Sequence, residues 1–264
     1  MHIDADTTVL ITGANGGIGC AIARSFHRLG AKLIVTGRRP DALKAIADET
    51  GARVIVADLS KHADVDRCIA EAGDVDVLVA NAALPSSGPL MHYSAEQIDR
   101  AIHVNLRAPI VMARLLAEGM VARKRGSIVF ISSISGKVAA PGTSLYSATK
   151  FGLRGFALGL REDLQGSGVG VSTIFPGFIR NAGMFADTGV ALPSGAGTRS
   201  PEDVANAVLR AVRKNPAEIT VAAFEQSIGA LVAGVSHPLV TAMQRWLGGE
   251  KIAKQIAEAQ SHKR

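Results

Sequence analysis

TTVLITGANGGIG, residues 7–19, joins an apolar run to a cluster of glycines. The run is rich in β-branched residues and carries no charge, as a strand buried on both faces does. The glycines open GIGCAIARSFHRLG (17–30), where Ile18, Ile22, Phe26 and Leu29 recur at helical spacing. A strand, a glycine turn and a helix in that order form a cradle for an anion. Gly13 permits the sharp turn, Gly17 lets the backbone approach a pyrophosphate, and Gly19 lets helix and strand pack closely. Asn15 and Ile18 lie in the same turn and are candidate contacts. The same glycines could close a tight turn without a ligand, but the flanking strand and amphipathic helix favour the cradle.

Outward from this stretch the alternation continues. Strands are predicted over 7–13, 32–37, 53–60, 75–83, 126–133, 169–177 and 218–223. Helices are predicted over 17–30, 40–51 and 62–73, from Ser94 to about Arg123, and through Tyr146 to Gln165. Ser94 and Gln97 have capping-box spacing, and Ser200-Pro201-Glu202-Asp203 starts another helix. Seven strands separated by helices imply right-handed crossovers and a doubly wound Rossmann-type α/β fold. Its central, mainly parallel seven-stranded sheet carries helices on both faces, and ligands bind beyond the carboxyl ends of the strands. Residues 1–222 form the dinucleotide-binding and catalytic domain in this reading, and 223–264 a helical extension packed on it or on an oligomer partner. The irregular stretch 181–198 is a candidate lid.

The chain has 264 residues, 47% hydrophobic and 20% charged, which suits one globular domain. The formal net charge of +6 is scattered apart from Arg123-Lys124-Arg125 and Lys263-Arg264. Without interleaved aromatics or a binding motif, this pattern argues against nucleic acid as a partner. The start lacks a secretory pattern, and no uncharged apolar run reaches membrane-spanning length, so a cytoplasmic protein is expected. Cys20 and Cys68 have neither metal-ligand nor redox-motif spacing. His92, His103 and His237 have no ligand-spaced partners, and no metal is expected. Residues 224–246 are apolar but broken at His237-Pro238, and 250–260 read as a polar helix. Packing within the protein or its oligomer is the expected use, in preference to contact with a membrane surface.

Within LYSATKFG (145–152), Tyr146 and Lys150 stand four residues apart, on one face of a helix. Alone, the pair fits either a proton donor beside its tuning cation or a solvated helix face. At the end of the second strand, where an NAD site usually places an acid, Gly37 and Arg38 stand instead. Arg38 there could meet a 2′-phosphate, a preference on the order of tenfold to a hundredfold, or could solvate the loop before Pro40. NADP(H) is therefore expected over NAD(H).

The spacing of Gly13, Gly17 and Gly19 resembles that of the short-chain dehydrogenase/reductase family, and the resemblance runs from residue 7 to about 222. It implies that Asp58, with Leu59 beside it, contacts adenine. Asn81 in Ala80-Asn81-Ala82-Ala83 matches the family's Asn-Asn-Ala-Gly, with the final glycine missing. Pro176-Gly177 and the backbone of Ile179 would face the nicotinamide carboxamide; the usual threonine is replaced by Asn181. The resemblance also supplies a catalytic set: Asn105, Ser133, Tyr146 and Lys150. Tyr146 would be the acid and base, tuned by Lys150, with Ser133 donating to the substrate oxygen and Asn105 holding a relay water. Ser133 is preferred over Ser132 because neighbouring residues on a strand point to opposite faces. The expected activity is NADP(H)-dependent interconversion of a ketone or aldehyde with an alcohol, in a homodimer or homotetramer. Leu84, Leu90, Met184, Phe185 and Leu192 suggest a hydrophobic, steroid-like or lipid-derived substrate. The alternative is a cofactor-binding sensor or scaffold without turnover.

Overall fold

Each β-branched run forms a strand and each amphipathic run packs back on it as a helix. The computed structural model describes residues 1–181, 183–184, 186–190, 197–224, 226–227, 255 and 258–259. The chain begins β1 (Thr8–Thr12), α1 (Gly17–His27), β2 (Lys32–Gly37), α2 (Pro40–Thr50), β3 (Arg53–Val56), α3 (His62–Ala72) and β4 (Val77–Ala80). It continues α4 (Ala95–Ile102), α5 (Ala108–Ala122), β5 (Gly126–Ile131), α6 (Ser144–Asp163), β6 (Val169–Pro176), α7 (Pro201–Lys214) and β7 (Glu218–Val221). The sheet order is β3-β2-β1-β4-β5-β6-β7, and every neighbouring pair is parallel. The chain works outward from β1 to β3, then doubles back to lay β4 against the other side of β1. The crevice of a doubly wound sheet opens at that reversal.

Alternate side chains of the strands feed two cores. Val9, Ile11 and Val35 pack with α1, α2 and α7; Leu10, Ile34, Leu78, Ile128 and Phe130 pack with α3, α5 and α6. Burial on both faces explains why the strands read as continuous apolar runs rather than as alternating ones.

The strands stop earlier than the apolar runs suggest. β3 ends at Val56 rather than near residue 60, because the Asp58 N–H donates to the Asp64 carboxylate (2.8 Å) and turns the chain. β4 ends at Ala80, because the N–H groups of Asn81 and Ala82 both donate to Thr12 Oγ1 (3.0 and 2.9 Å). The long helix after Ser94 is also not uniform. Its capping box is present, but His103–Arg107 forms a π-turn between α4 and α5. Pro109 has no N–H for the carbonyl of Asn105 four residues back, and the Ala108 N–H donates five residues back to His103.

Most of the extension after residue 227 and much of the candidate lid, including Phe185 and Leu192, lie outside the described residues. The ends of the lid are described: Ile179 and Arg199 form a parallel bridge. Among the described residues no helix is long and apolar enough to cross a membrane. Phe26 is fully buried beneath the first crossover. Phe26→Ala should lower the unfolding free energy by about 3–5 kcal/mol. A urea midpoint that barely moves, at constant slope, would contradict this packing.

Candidate active site and cofactor cradle

The cradle is set by close backbone approaches. Gly13 has φ +64°, and a Cβ there would lie 2.9 Å from Ala82 Cα. A Cβ on Gly19 would press on the Gly13 carbonyl and lie 2.7 Å from Ala14 Cα. Helix α1 starts at Gly17 after an uncapped Gly16, with no acid in its first turn. Among the described residues no side chain caps its opening N–H groups. Asn15 leans over the end of β2: a Cβ on Gly37 would lie 2.8 Å from its Oδ1. Asn81 braces the cradle from β4, its Nδ2 donating to the carbonyls of Thr12 (2.9 Å) and Gly13 (3.2 Å). Thr12 is thus a positioning residue that carries no distinguishing mark in the sequence.

At the far end of the crevice, Asp58 accepts from the N–H (3.1 Å) and hydroxyl (2.8 Å) of Ser60. Burial pushes its carboxyl upward, but those bonds and the guanidinium charges of Arg38 and Arg100 outweigh that and hold it below the usual range. Arg38 is exposed beside it. The Leu59 side chain is packed in the α3–α5 core, which leaves its backbone for any ligand contact.

The alternation expected at the end of β5 holds just beyond its last residue. Ser132 is buried and donates to the Lys150 carbonyl (3.2 Å), while Ser133 stands on the open side, its hydroxyl accepting from the Ser135 N–H (3.2 Å). Lys150 is 2% exposed, its Nζ 2.9 Å from the Ile131 carbonyl and 5.7 Å from the centroid of the Tyr146 ring. Burial lowers the Lys150 pKa to about 8. Burial also pushes the Tyr146 hydroxyl up to about 12, against the opposing pull of the Ser133 hydroxyl.

Asn105 is 1% exposed inside the π-turn. Its Oδ1 accepts from the Leu84 N–H (2.6 Å), and its Nδ2 donates to the Leu84 carbonyl (2.9 Å) and Ser86 Oγ (3.3 Å). The side chain is committed to the segment after β4, so a relay water would fall to its main chain. Ile179 is buried beyond Pro176-Gly177. Its bridge uses the Phe178 carbonyl and the Arg180 N–H, which directs Ile179's own polar groups to the other side. Asn181 is exposed at φ +66°. Among the described residues no group of three potential metal ligands occurs; His103 stands against His62, ring centroids 4.9 Å apart.

A profile of the short chain dehydrogenases matches residues 7–190. The chain belongs to that family. It is 32% identical over 255 residues to the ketoacyl reductase HetN of a Nostoc species, covering 91% of this chain and 89% of the relative. It is 40% identical over 178 residues to the NADP-dependent 3-hydroxy acid dehydrogenase YdfG of Salmonella typhi, 65% of this chain and 72% of that one. A short-chain dehydrogenase from Sphingobium yanoikuyae in complex with NADPH superposes with a TM-score of 0.73 at 30% identity, covering 87% of this chain and 95% of that one. The protein is thus an oxidoreductase of the nicotinamide-dependent type, built on the fold described above.

The buried lysine has a thermodynamic consequence. Its native value of about 8 lies below the ordinary 10.5, so between those pH values the unfolded chain binds the extra proton and stability rises with pH. Relative to Lys150→Met, the wild type should gain about 3 kcal/mol across that window. Denaturant titrations of both proteins at pH 8 and 10.5 check it, and a constant difference would contradict it.

Proposed function

We propose that the protein is an NADP(H)-dependent oxidoreductase that interconverts a carbonyl compound and an alcohol, with Tyr146 as acid and base. The observation that carries this reading is Lys150, a cation 2% exposed and held by a main-chain carbonyl beside the Tyr146 ring. Burying a lysine without a carboxylate costs several kcal/mol, which a purely structural role does not offset. A sensor without turnover is not favoured, since Asn105, Ser133, Tyr146 and Lys150 are all present.

The residues present suit a dinucleotide: glycines with no room for a Cβ, an uncapped helix start, and Arg38 where an acid would select NAD. When bound, the nicotinamide supplies or accepts the hydride. Gly13, Asn15, Gly17, Ile18 and Gly19 would hold the pyrophosphate, Arg38 a 2′-phosphate, and Asp58 with the Leu59 backbone the adenine. Asn81, Pro176, Gly177 and Ile179 would frame the nicotinamide side, with Lys150 on the ribose. Ser133 donates to the substrate oxygen and holds it against Tyr146. Tyr146 gives up its proton in reduction and recovers it in oxidation. Burial raises the Tyr146 hydroxyl, a shift the Lys150 ammonium would have to oppose in the reacting complex, and the lysine's proton would exchange toward solvent past the Asn105 main chain.

One named relative is a ketoacyl reductase and another a 3-hydroxy acid dehydrogenase; the first supports an acyl-derived carbonyl compound as substrate. Phe151 and Leu158, both partly exposed on the outer side of α6, would suit contact with a second copy. With NADPH and ethyl acetoacetate, Tyr146→Phe should keep nucleotide binding and lose at least a hundredfold in kcat. Retained turnover would defeat the assignment. By fluorescence titration, Arg38→Ala should weaken NADPH about tenfold to a hundredfold while leaving NADH nearly unchanged. Equal effects on the two cofactors would remove Arg38 as the selector.

A further inference from the structure

The segment carrying Ser133 is held at three points. Ser132 bonds the Lys150 carbonyl, and Gly136 lies so close to α6 that a Cβ there would be 2.8 Å from the same oxygen. The third point is Lys137, whose Nζ reaches Glu218 Oε2 (2.9 Å) and Thr220 Oγ1 (3.2 Å) and sits 4.2 Å from the centroid of the Phe175 ring. The same carboxylate accepts from Arg154 Nε (2.6 Å) and Nη2 (3.2 Å). Arg154 lies one helical turn beyond Lys150 on α6.

Glu218 is thus shared between the two elements that bear the reacting groups, the Ser133 loop and the Tyr146–Lys150 helix. It opens the edge strand β7, outside residues 7–190 that match the family. The side chains of Lys137 and Glu218 are 16% and 21% exposed, so their pairing is less screened than that of an ordinary surface ion pair. Burial would raise the Glu218 carboxyl, but Arg154 and Lys137 hold it below the usual range, and it stays ionised at neutral pH.

We infer that Glu218 is a positioning residue: through Lys137 and Arg154 it fixes the distance between Ser133 and the Tyr146–Lys150 pair. The inference rests on the reaction proposed above. A donor that must meet the substrate oxygen and the phenol together has to be held to within a fraction of an ångström, and small misplacements cost turnover rather than cofactor binding.

Lys137→Met cuts the loop arm and leaves the Glu218–Arg154 pair in place. With NADPH and ethyl acetoacetate it should lower kcat roughly tenfold to a hundredfold. The NADPH dissociation constant should stay within about twofold, and amide exchange at Gly136, Lys137 and Val138 should accelerate. Glu218→Gln should reproduce the loss, and Glu218→Asp, which keeps the charge, should recover most of it. A Lys137→Met enzyme with wild-type kcat overturns the inference, whatever its melting temperature, as does unchanged exchange in that segment. Tyr146→Phe assayed in parallel separates the two ideas. Retained turnover there brings down the reading of the site; its loss beside an unaffected Lys137→Met brings down the role of Glu218 alone.

Discussion

The pairing of β1 with β4 is the constraint on which the remainder depends. The chain leaves β1 in one direction to build β2 and β3, then returns to pair Val9, Leu10 and Ile11 with Val77, Leu78 and Val79. Strands that diverge from a shared neighbour cannot both be covered by the same crossover, so a crevice remains above them. Thr12 and Asn81 close its floor with four hydrogen bonds between β1 or its following turn and the end of β4. Those bonds fix the Gly13 turn from below, and the absence of a Cβ on Gly13 and Gly19 lets α1 descend onto it.

The second constraint is electrostatic. In the protein alone, burial disfavours both charged forms of the pair, lowering Lys150 and raising Tyr146. A site at rest therefore holds a neutral phenol beside an ammonium whose proton is loosely kept near neutrality. Among the described residues neither group has a carboxylate partner that would fix its charge, in contrast to Glu218, whose carboxylate is flanked by two cations.

Much of this was legible in the sequence, for reasons that differ from residue to residue. Gly13 and Gly19 are visible because a strand, a glycine run and an amphipathic helix in series leave few other structures open. Tyr146 and Lys150 are visible because a helix turns a spacing of four into one face. The shortness of β3 and β4 was not visible, because it depends on side-chain bonds that no periodicity reports, from Asp64 in the next helix and from Thr12 at the distant end of β1. Periodicity likewise reports that 94–123 is helical but is blind to a one-residue shift of hydrogen bonding inside it. The core burial of the Leu59 side chain is likewise not visible beside Asp58, and it leaves only the backbone of Leu59 for a ligand contact.

That shift in the long helix ties fold and site together. Pro109 removes one donor, the helix takes a π-turn, and Asn105 comes to lie fully buried with its amide turned to Leu84 and Ser86. A regular helix would rotate Asn105 by a fraction of a turn and withdraw that amide from the chain leaving β4. Buried main-chain groups of Leu84 would then lose their partners, a cost of about 1–3 kcal/mol each. The irregularity is therefore held in place by the polar groups it satisfies, and it anchors the β4 exit at the floor of the crevice. In the same position Pro109 leaves the Asn105 carbonyl without its usual helical donor.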